Sequence, residues 1–433
     1  MNPLANIGPI LLSSFLFYVA NGLLSLYLPL HLNDLSMSSI KIGLVMSCFA
    51  VGIFIASFSS GKLIQRSSHI RVFAAAGGIG CLVTLYYSLD YHLFVWALLR
   101  ILTGYAVTAA SIVLESWAQD VASPENRSFI VAVFMIVYFL SSAFSQLIPG
   151  FGFSIDLFIL IGMLYVLSVI PLSLSKLTGP EFNSIEFIGF KELWKVSPIG
   201  VVGTFTSAMT YMSLTSLGSL FANGIGFSLQ EISYFMFSII IGAFIMQYPV
   251  GKMSDKYDRR IILLMTLIFS SILNLIVISY LTLYPNVSHH SNLFLILIFA
   301  SLVGGTTSLV YPLSMAITFD WIDKKKMVNA MALCYMIFGI GGIIGPLASS
   351  YFIEEMGGKG LLLFILVIEC SLMLYVMYRI KMRKSMPVED QETFVPFSPS
   401  ESVILASMEY DDSHYTYTSE DEESDTSDPE PKG

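Results

Sequence analysis

Gly251-Lys252-Met253-Ser254-Asp255-Lys256-Tyr257-Asp258-Arg259-Arg260 is a short charged island joining two apolar runs, roughly 229–252 and 260–283. Runs of that length cross the hydrocarbon of a bilayer as helices, because lipid offers the backbone no hydrogen-bond partner. The island is therefore a loop at one membrane face. Working outward, ten more apolar runs fall at roughly 7–31, 39–65, 70–89, 92–118, 128–149, 152–175, 196–222, 291–319, 327–352 and 358–380. The sequence predicts an all-α integral membrane protein with twelve transmembrane spans. The composition agrees: 55% of the 433 residues are hydrophobic and 12% charged, against about 25% charged in soluble proteins. A soluble enzyme, a nucleic-acid binder and a disulfide scaffold are all excluded on that ground. Cys48, Cys81, Cys334 and Cys370 all lie inside apolar runs, in neither a disulfide nor a metal spacing. The start, Met1 to Ile10, lacks the basic region of a signal peptide, so the first run reads as a retained span.

Charge orients the chain. The net charge is −9, but residues 1–384 carry +4 and residues 385–433 carry −13. With the N-terminus placed in the cytoplasm, 18 Lys and Arg fall on the inner side and 2, Lys41 and Lys359, on the outer side. That bias predicts a plasma (inner) membrane protein with both termini cytoplasmic. The acidic stretch 385–433 is too polar to bury a core and is expected to be disordered. Asn286-Val287-Ser288 matches a glycosylation sequon, a weak signal.

The chain repeats itself. A shift of 190 residues aligns Ile42, Met46, Gly52, Phe54, Ile55, Gly61 and Lys62 with Ile232, Met236, Gly242, Phe244, Ile245, Gly251 and Lys252. Two six-helix halves are the mark of a duplicated transporter with its site between them. The predicted organisation is a first bundle at 1–176, a connector at 177–195, a second bundle at 196–384 and the tail at 385–433.

The 251–260 loop has Gly, three residues, Asp, a basic residue and a basic pair. It resembles the cytoplasmic loop motif of the major facilitator superfamily. Its first-half copy, Gly61-Lys62-Leu63-Ile64-Gln65-Arg66-Ser67-Ser68-His69-Ile70-Arg71, has Gln65 in place of the Asp and Ser68 in place of the second Gly. Asp258 also stands where Gly is usual. With Arg100 to Gly104, Glu115-Ser116-Trp117, Tyr138, Gln146, Tyr311-Pro312, Asp320 and the Gly339 to Pro346 strip, the chain resembles the YcaD-like branch of predicted permeases. The helix 5 glycine motif of antiporters is absent, since Ser141 to Ser145 stands there.

The resemblance implies a major facilitator fold whose first, fourth, seventh and tenth spans line a central cavity. It also implies a loop motif that gates access. The expected gating residues are Gly61, Arg66, Glu115, Arg127, Gly251, Asp255, Lys256, Arg259 and Asp320. Asp255 is suited to capping a neighbouring helix N-terminus, where the dipole favours an anion. Glu115 lies about 22 Å along the helix from Arg100, and is expected to join Asp120, Arg66 and Arg127 at the inner mouth. The substrate or proton candidates are Arg100, Asn21, Tyr138, Gln146, Thr210, Tyr211, Tyr311 and Glu369. Arg100 reads either as an anion or carboxylate contact or a partner that tunes a proton site, or as a buried ion pair or carbonyl clamp holding its helix. Glu369, on a scaffold helix expected to face lipid, reads as a proton site, a packing hydrogen bond or a local tolerance. Hydroxyls on the first, seventh and tenth spans read as ligand contacts or as bonds back to helix carbonyls. The glycine strip reads as close packing or as a hinge.

The expected activity is secondary transport of a small organic solute by alternating access. It is expected to be coupled to protons, with export favoured, and to need no cofactor or metal. The expected setting is a monomer in lipid, with no nucleic acid. No phosphate-cradling Gly-x-x-x-x-Gly-Lys-Ser/Thr loop occurs in the sequence, which argues against a primary pump. The rivals are a non-transporting sensor on a transporter scaffold and a lipid or amphiphile flippase; an enzyme is set aside.

Overall fold

The computed structural model describes residues 3–89, 92–121, 127–152, 155–175, 189–283, 293–322, 326–391 and 394. Its long helices are α1 (Pro3–Asp34), α2 (Ser39–Ser67), α3 (His69–Leu89), α4 (Leu93–Val121), α5 (Arg127–Leu147) and α6 (Leu157–Ser173). After a short α7 (Phe190–Val196) come α8 (Pro198–Gly224), α9 (Leu229–Ser254), α10 (Arg259–Leu283), α11 (Leu293–Phe319), α12 (Met327–Met356) and α13 (Lys359–Met382). The twelve expected spans are α1–α6 and α8–α13. Ten of these are long and apolar enough to cross a membrane, and α6 is a shorter apolar helix. The remaining one, α8, has 27 residues, but its Thr, Ser and Gly dilute the hydropathy. The short α7 was not foreseen: the connector folds its end into a single turn-rich helix that buries Leu193.

Local chemistry sets the ends. Ser38 accepts from the Lys41 N–H to start α2, and Asp156 accepts from the Phe158 N–H at 2.8 Å to start α6. A reciprocal Ser228–Glu231 capping box starts α9.

Helices in lipid gain nothing from hiding oil in oil, so small residues that let backbones touch decide the packing. The two halves use the same device. A Cβ on Gly52 of α2 would collide with the Ile101 carbonyl of α4, and one on Gly104 of α4 with the Phe49 carbonyl of α2. In the second half, a Cβ on Gly242 of α9 would collide with the Ser301 carbonyl of α11, and one on Gly304 of α11 with the Ile239 carbonyl of α9. Gly242 and Ile239 lie 190 residues after Gly52 and Phe49, so the sequence repeat is a repeat of structure. Across the halves, α2 packs on α12, α5 on α9 and α1 on α8. The α12 strip resolves as close packing. Gly341 and Gly345 lie against the Phe205 and Met209 carbonyls of α8, while Gly339 and Gly342 face Phe54 and Ala50 of α2.

The end of the bundle poor in Lys and Arg is fastened between halves. The Ser39 N–H donates to Glu354 Oε2 at 2.6 Å, and Ser219 Oγ donates to the Leu26 carbonyl at 3.1 Å. Gly43 abuts Ser350 and the Pro346 carbonyl, and Gly150 sits beside Ser233.

Two expectations change here. Glu369 does not face lipid: it is 2% exposed, turned into the bundle between α10 and α11. The tail is placed over 385–391 and at 394, with a short turn at Val388–Asp390. Most of the expected disordered tail and of the connector, together with Asn286, lies outside the described residues.

Candidate functional site

A cavity of about 100 Å³ lies between the halves, lined by α1, α2, α4 and α5 on one side and by α8, α9 and α12 on the other. Residues 18, 21, 22 and 25 of α1 share one helix face by their spacing. All four, Tyr18, Asn21, Gly22 and Ser25, line the cavity. Gly22 is required there, because a Cβ would collide with Ser145 Oγ of α5. That close approach lets Gln146 Nε2 donate to Ser145 Oγ at 2.9 Å, to the Ser142 carbonyl at 3.2 Å and to the Gly22 carbonyl at 3.5 Å. Gln146 Oε1 is buried with no partner. Tyr18 donates to Ser111 Oγ at 3.2 Å and packs edge-on against Tyr138, ring centroids 5.0 Å apart.

Arg100 of α4 reaches the same cavity and is 1% exposed. Its guanidinium lies 4.5 Å from the Phe49 ring centroid, and Nη2 donates to Ser25 Oγ at 3.5 Å. Nε and Nη1 are buried without hydrogen-bond partners. No carboxylate pairs with it among the described residues. A charge at the bilayer centre costs about 2.5–3.5 kcal/mol even on lenient insertion scales. One cation–π contact, worth about 2 kcal/mol when desolvated, offsets only part of that. The expected structural ion pair for Arg100 is therefore not what the structure shows.

Of the sequence candidates, Arg100, Asn21, Tyr138, Gln146 and Tyr211 come together at this cavity. Thr210 does not: its hydroxyl bonds back to the Thr206 and Ser207 carbonyls, both at 3.2 Å. Tyr311 is buried against Phe338, ring centroids 5.1 Å apart, away from the cavity lining. Glu369 is caged instead. Oε1 accepts from Ser270 Oγ at 2.8 Å and Thr307 Oγ1 at 3.4 Å, and Oε2 accepts from Asn274 Nδ2 at 3.3 Å. It ties α10, α11 and α13 together. Sequence reasoning missed Phe49 and Tyr335 at the cavity, because an aromatic in an apolar run carries no positional signal.

A larger cavity of about 310 Å³ lies within the second half, lined by apolar residues such as Leu214, Phe235, Ile276, Leu295, Val303 and Leu362. Solute sites need a few convergent polar groups, which the smaller central cavity has and this one lacks.

The residues expected to gate in the second half sit at the basic end. Arg259 is buried, with Nη2 3.3 Å from Asp255 Oδ1 and Nη1 3.0 Å from Asp320 Oδ1. Asp255 does not cap a neighbouring helix here. It accepts the Phe394 N–H at 2.7 Å, and the Phe394 ring lies against Gly251. Asp258, in the place of the usual Gly, pairs with Arg260 at 2.8 Å, and Arg260 Nη1 donates to the Arg383 carbonyl at 2.7 Å. Arg383 stacks over Trp321 at 3.5 Å and donates to the Val196 carbonyl at 2.9 Å. Burial, then the like charges of Arg379 and Arg260, push its pKa below the usual arginine value. Lys256 is exposed.

In the first half, Gly61 is half-buried and Glu115 wholly buried, while Arg66 is exposed. Arg66 makes no ion pair among the described residues, so it does not join the expected inner-mouth network with Glu115. The last turn of α2 points Arg66 to the water. The side chains of Asp120 and Arg127 lie outside the described residues. Phe394 was a further residue missed. Its signal was an apolar pair, Phe394 and Phe397, inside an acidic tail.

The chain matches the family profile described as Major Facilitator Superfamily over residues 10–244 and 199–408. An uncharacterized MFS-type transporter of Yersinia enterocolitica is 22% identical over 84% of this chain and 92% of its own length. The uncharacterized MFS-type transporter YcaD of Escherichia fergusonii is 22% identical over 85% of this chain and 94% of its own. Among solved structures, the nucleoside transporter NupG superposes with a TM-score of 0.70 at 14% identity, over 88% of this chain and 100% of its own. A bacterial homologue of the human lysosomal transporter Spinster, inward-facing and occupied, gives 0.67 at 12%, over 90% and 98%.

Proposed function

The chain belongs to the Major Facilitator Superfamily, and from that premise we propose that this membrane transporter exports a small organic solute by alternating access, driven by the proton gradient. The observation that carries the reading is the cavity between the halves, where Arg100, Asn21 and Gln146 converge behind a fastened charge-poor end. The buried carboxyls of Glu115 and Asp320 support the proton as coupling ion. In this reading the basic end faces the cytoplasm of a plasma membrane, both termini lie inside, and a monomer suffices. Bundles at 1–176 and 196–384 rock about the site, with 177–195 as connector and 385–433 as tail.

The test is reconstitution into vesicles with an imposed pH gradient. Solute flux that follows the gradient supports the reading, and flux indifferent to it removes the proton. Glu369→Gln, which keeps most of the cage, is expected to leave gradient-driven flux intact. Its loss would make Glu369 the proton carrier rather than a packing hub.

A flippase for lipids or amphiphiles is the second reading, favoured by the apolar cavity at Leu214 and Leu362. Lipid movement without any gradient in the same vesicles would select it.

A further inference from the structure

Residues lining the central cavity carry four buried polar atoms with no partner, and they are complementary in a particular way. Two are donors on one cation, Arg100 Nε and Nη1. The third is an acceptor, Gln146 Oε1. The Gln146 amide is not free to turn round, because its nitrogen already donates to Ser145 Oγ and to the Ser142 and Gly22 carbonyls. A second amide oxygen, Asn21 Oδ1, is also without a partner and lines the same space. Arg100 meets α1 at Ser25, and Gln146 meets it at Gly22. Ser25 lies three residues beyond Gly22 and four beyond Asn21, so donor and acceptor levels are separated by about 4.5–6 Å along the helix. The rings of Tyr18, Phe49, Tyr138 and Tyr211 line the same cavity.

Resting on the reading of this cavity as the transport site, the geometry points to its substrate class: a small organic monoanion with a hydrogen-bond donor about one helical turn from its charge. A carboxylate fits either edge of the Arg100 guanidinium, where the unpartnered Nε–H or Nη1–H donates beside an N–H of Nη2. A hydroxyl or N–H at the other end meets Gln146 and Asn21, and a flat apolar body fits the aromatic walls. One charge is the limit, because among the described residues Arg100 is the one Lys or Arg lining the cavity. In this state the cavity of about 100 Å³ holds about three waters at about 30 Å³ each, so a ring-sized solute needs the halves to part around it. Water alone would satisfy the donors but would leave the charge uncompensated in a low-dielectric site.

Three probes separate these elements: 4-hydroxybenzoate, its neutral counterpart 4-hydroxybenzamide, and benzoate, which lacks the donor. Binding to the full chain in detergent is measured by calorimetry and by thermal shift. We expect 4-hydroxybenzoate to bind at least tenfold more tightly than the amide. Arg100→Gln should bring the two within twofold of each other, and Arg100→Lys should restore part of the preference. Gln146→Ala should cost 4-hydroxybenzoate several-fold more than it costs benzoate. Equal binding of acid and amide by the unmodified chain overturns the inference, as does a preference that survives in Arg100→Gln, or no binding of any probe at millimolar concentration. The comparison on the unmodified chain decides the charge question even if Arg100→Gln fails to fold. Detergent binding needs no transport. A chain that prefers the acid but carries no solute in vesicles keeps this site and loses the transport reading. A chain that carries a neutral solute and ignores the acid does the reverse.

Discussion

In the second half, the loop after α9 is held by charge: Arg259 lies buried between Asp255 and Asp320, and the Phe394 backbone closes over Asp255. In the first half, the same positions 190 residues earlier are Gln65 and His69, and His69 packs against the Trp117 ring at 5.7 Å instead. The backbones beneath are alike, with Gly52 and Gly104 crossing as Gly242 and Gly304 do. Close helix crossing tolerates no Cβ, so it admits one solution. The loop end can be fastened by ions or by rings, so it admits several. The two junctions are expected to respond differently to change.

The largest contrast should come from Arg259→Ala against His69→Ala. Removing a buried cation from between two carboxylates is expected to cost about 3–5 kcal/mol; losing the imidazole should cost about 1–2 kcal/mol. Melting of the purified variants measures both, and equal losses would break the comparison. Next come Gly52→Val and Gly242→Val, each expected to cost about 3 kcal/mol by overpacking. Here the two halves should behave alike in the yield of monodisperse protein. A tolerated substitution at one of them would show that only one crossing is constrained.

Asp255→Asn is smaller in stability, about 1 kcal/mol, because an amide oxygen still accepts the Phe394 N–H. It should alter exchange between the two access states, read from distances between spin labels at the basic end, while substrate affinity stays the same. Unchanged exchange would remove the gating role, and the reciprocal Gln65→Asp should then be silent too. The smallest effect belongs to Glu192→Ala. It breaks a 2.6 Å pair with Lys326 that is about half exposed on both sides, and the expected change in melting corresponds to less than about 1 kcal/mol.

Much of the fold was legible in residues. The twelve spans followed from apolar runs, and the 190-residue shift marks Gly52 and Gly242 as equivalent positions. The site was legible in part. Asn21, Arg100, Tyr138, Gln146 and Tyr211 line one cavity, while Thr210 turns back to its own helix and Glu369 turns inward. A hydroxyl's choice between helix carbonyl and cavity depends on its rotamer, and periodicity does not carry that information. The facing of Glu369 depends on how α13 is rotated against α10 and α11, which neighbouring helices set.

The sequence by itself determined that the chain spans a membrane, that it is built twice, and that its positive charge gathers at one end. Those follow from transfer energies and charge counts, which add along a chain whatever its path. Only the tertiary structure decided that Arg100 has no ionic partner among the described residues, that Gln146 beside the cavity leaves its oxygen without a partner, and that the tail reaches Asp255 through Phe394. Whether a buried polar group is satisfied depends on residues a hundred positions away brought within 3 Å, and that is a property of packing alone.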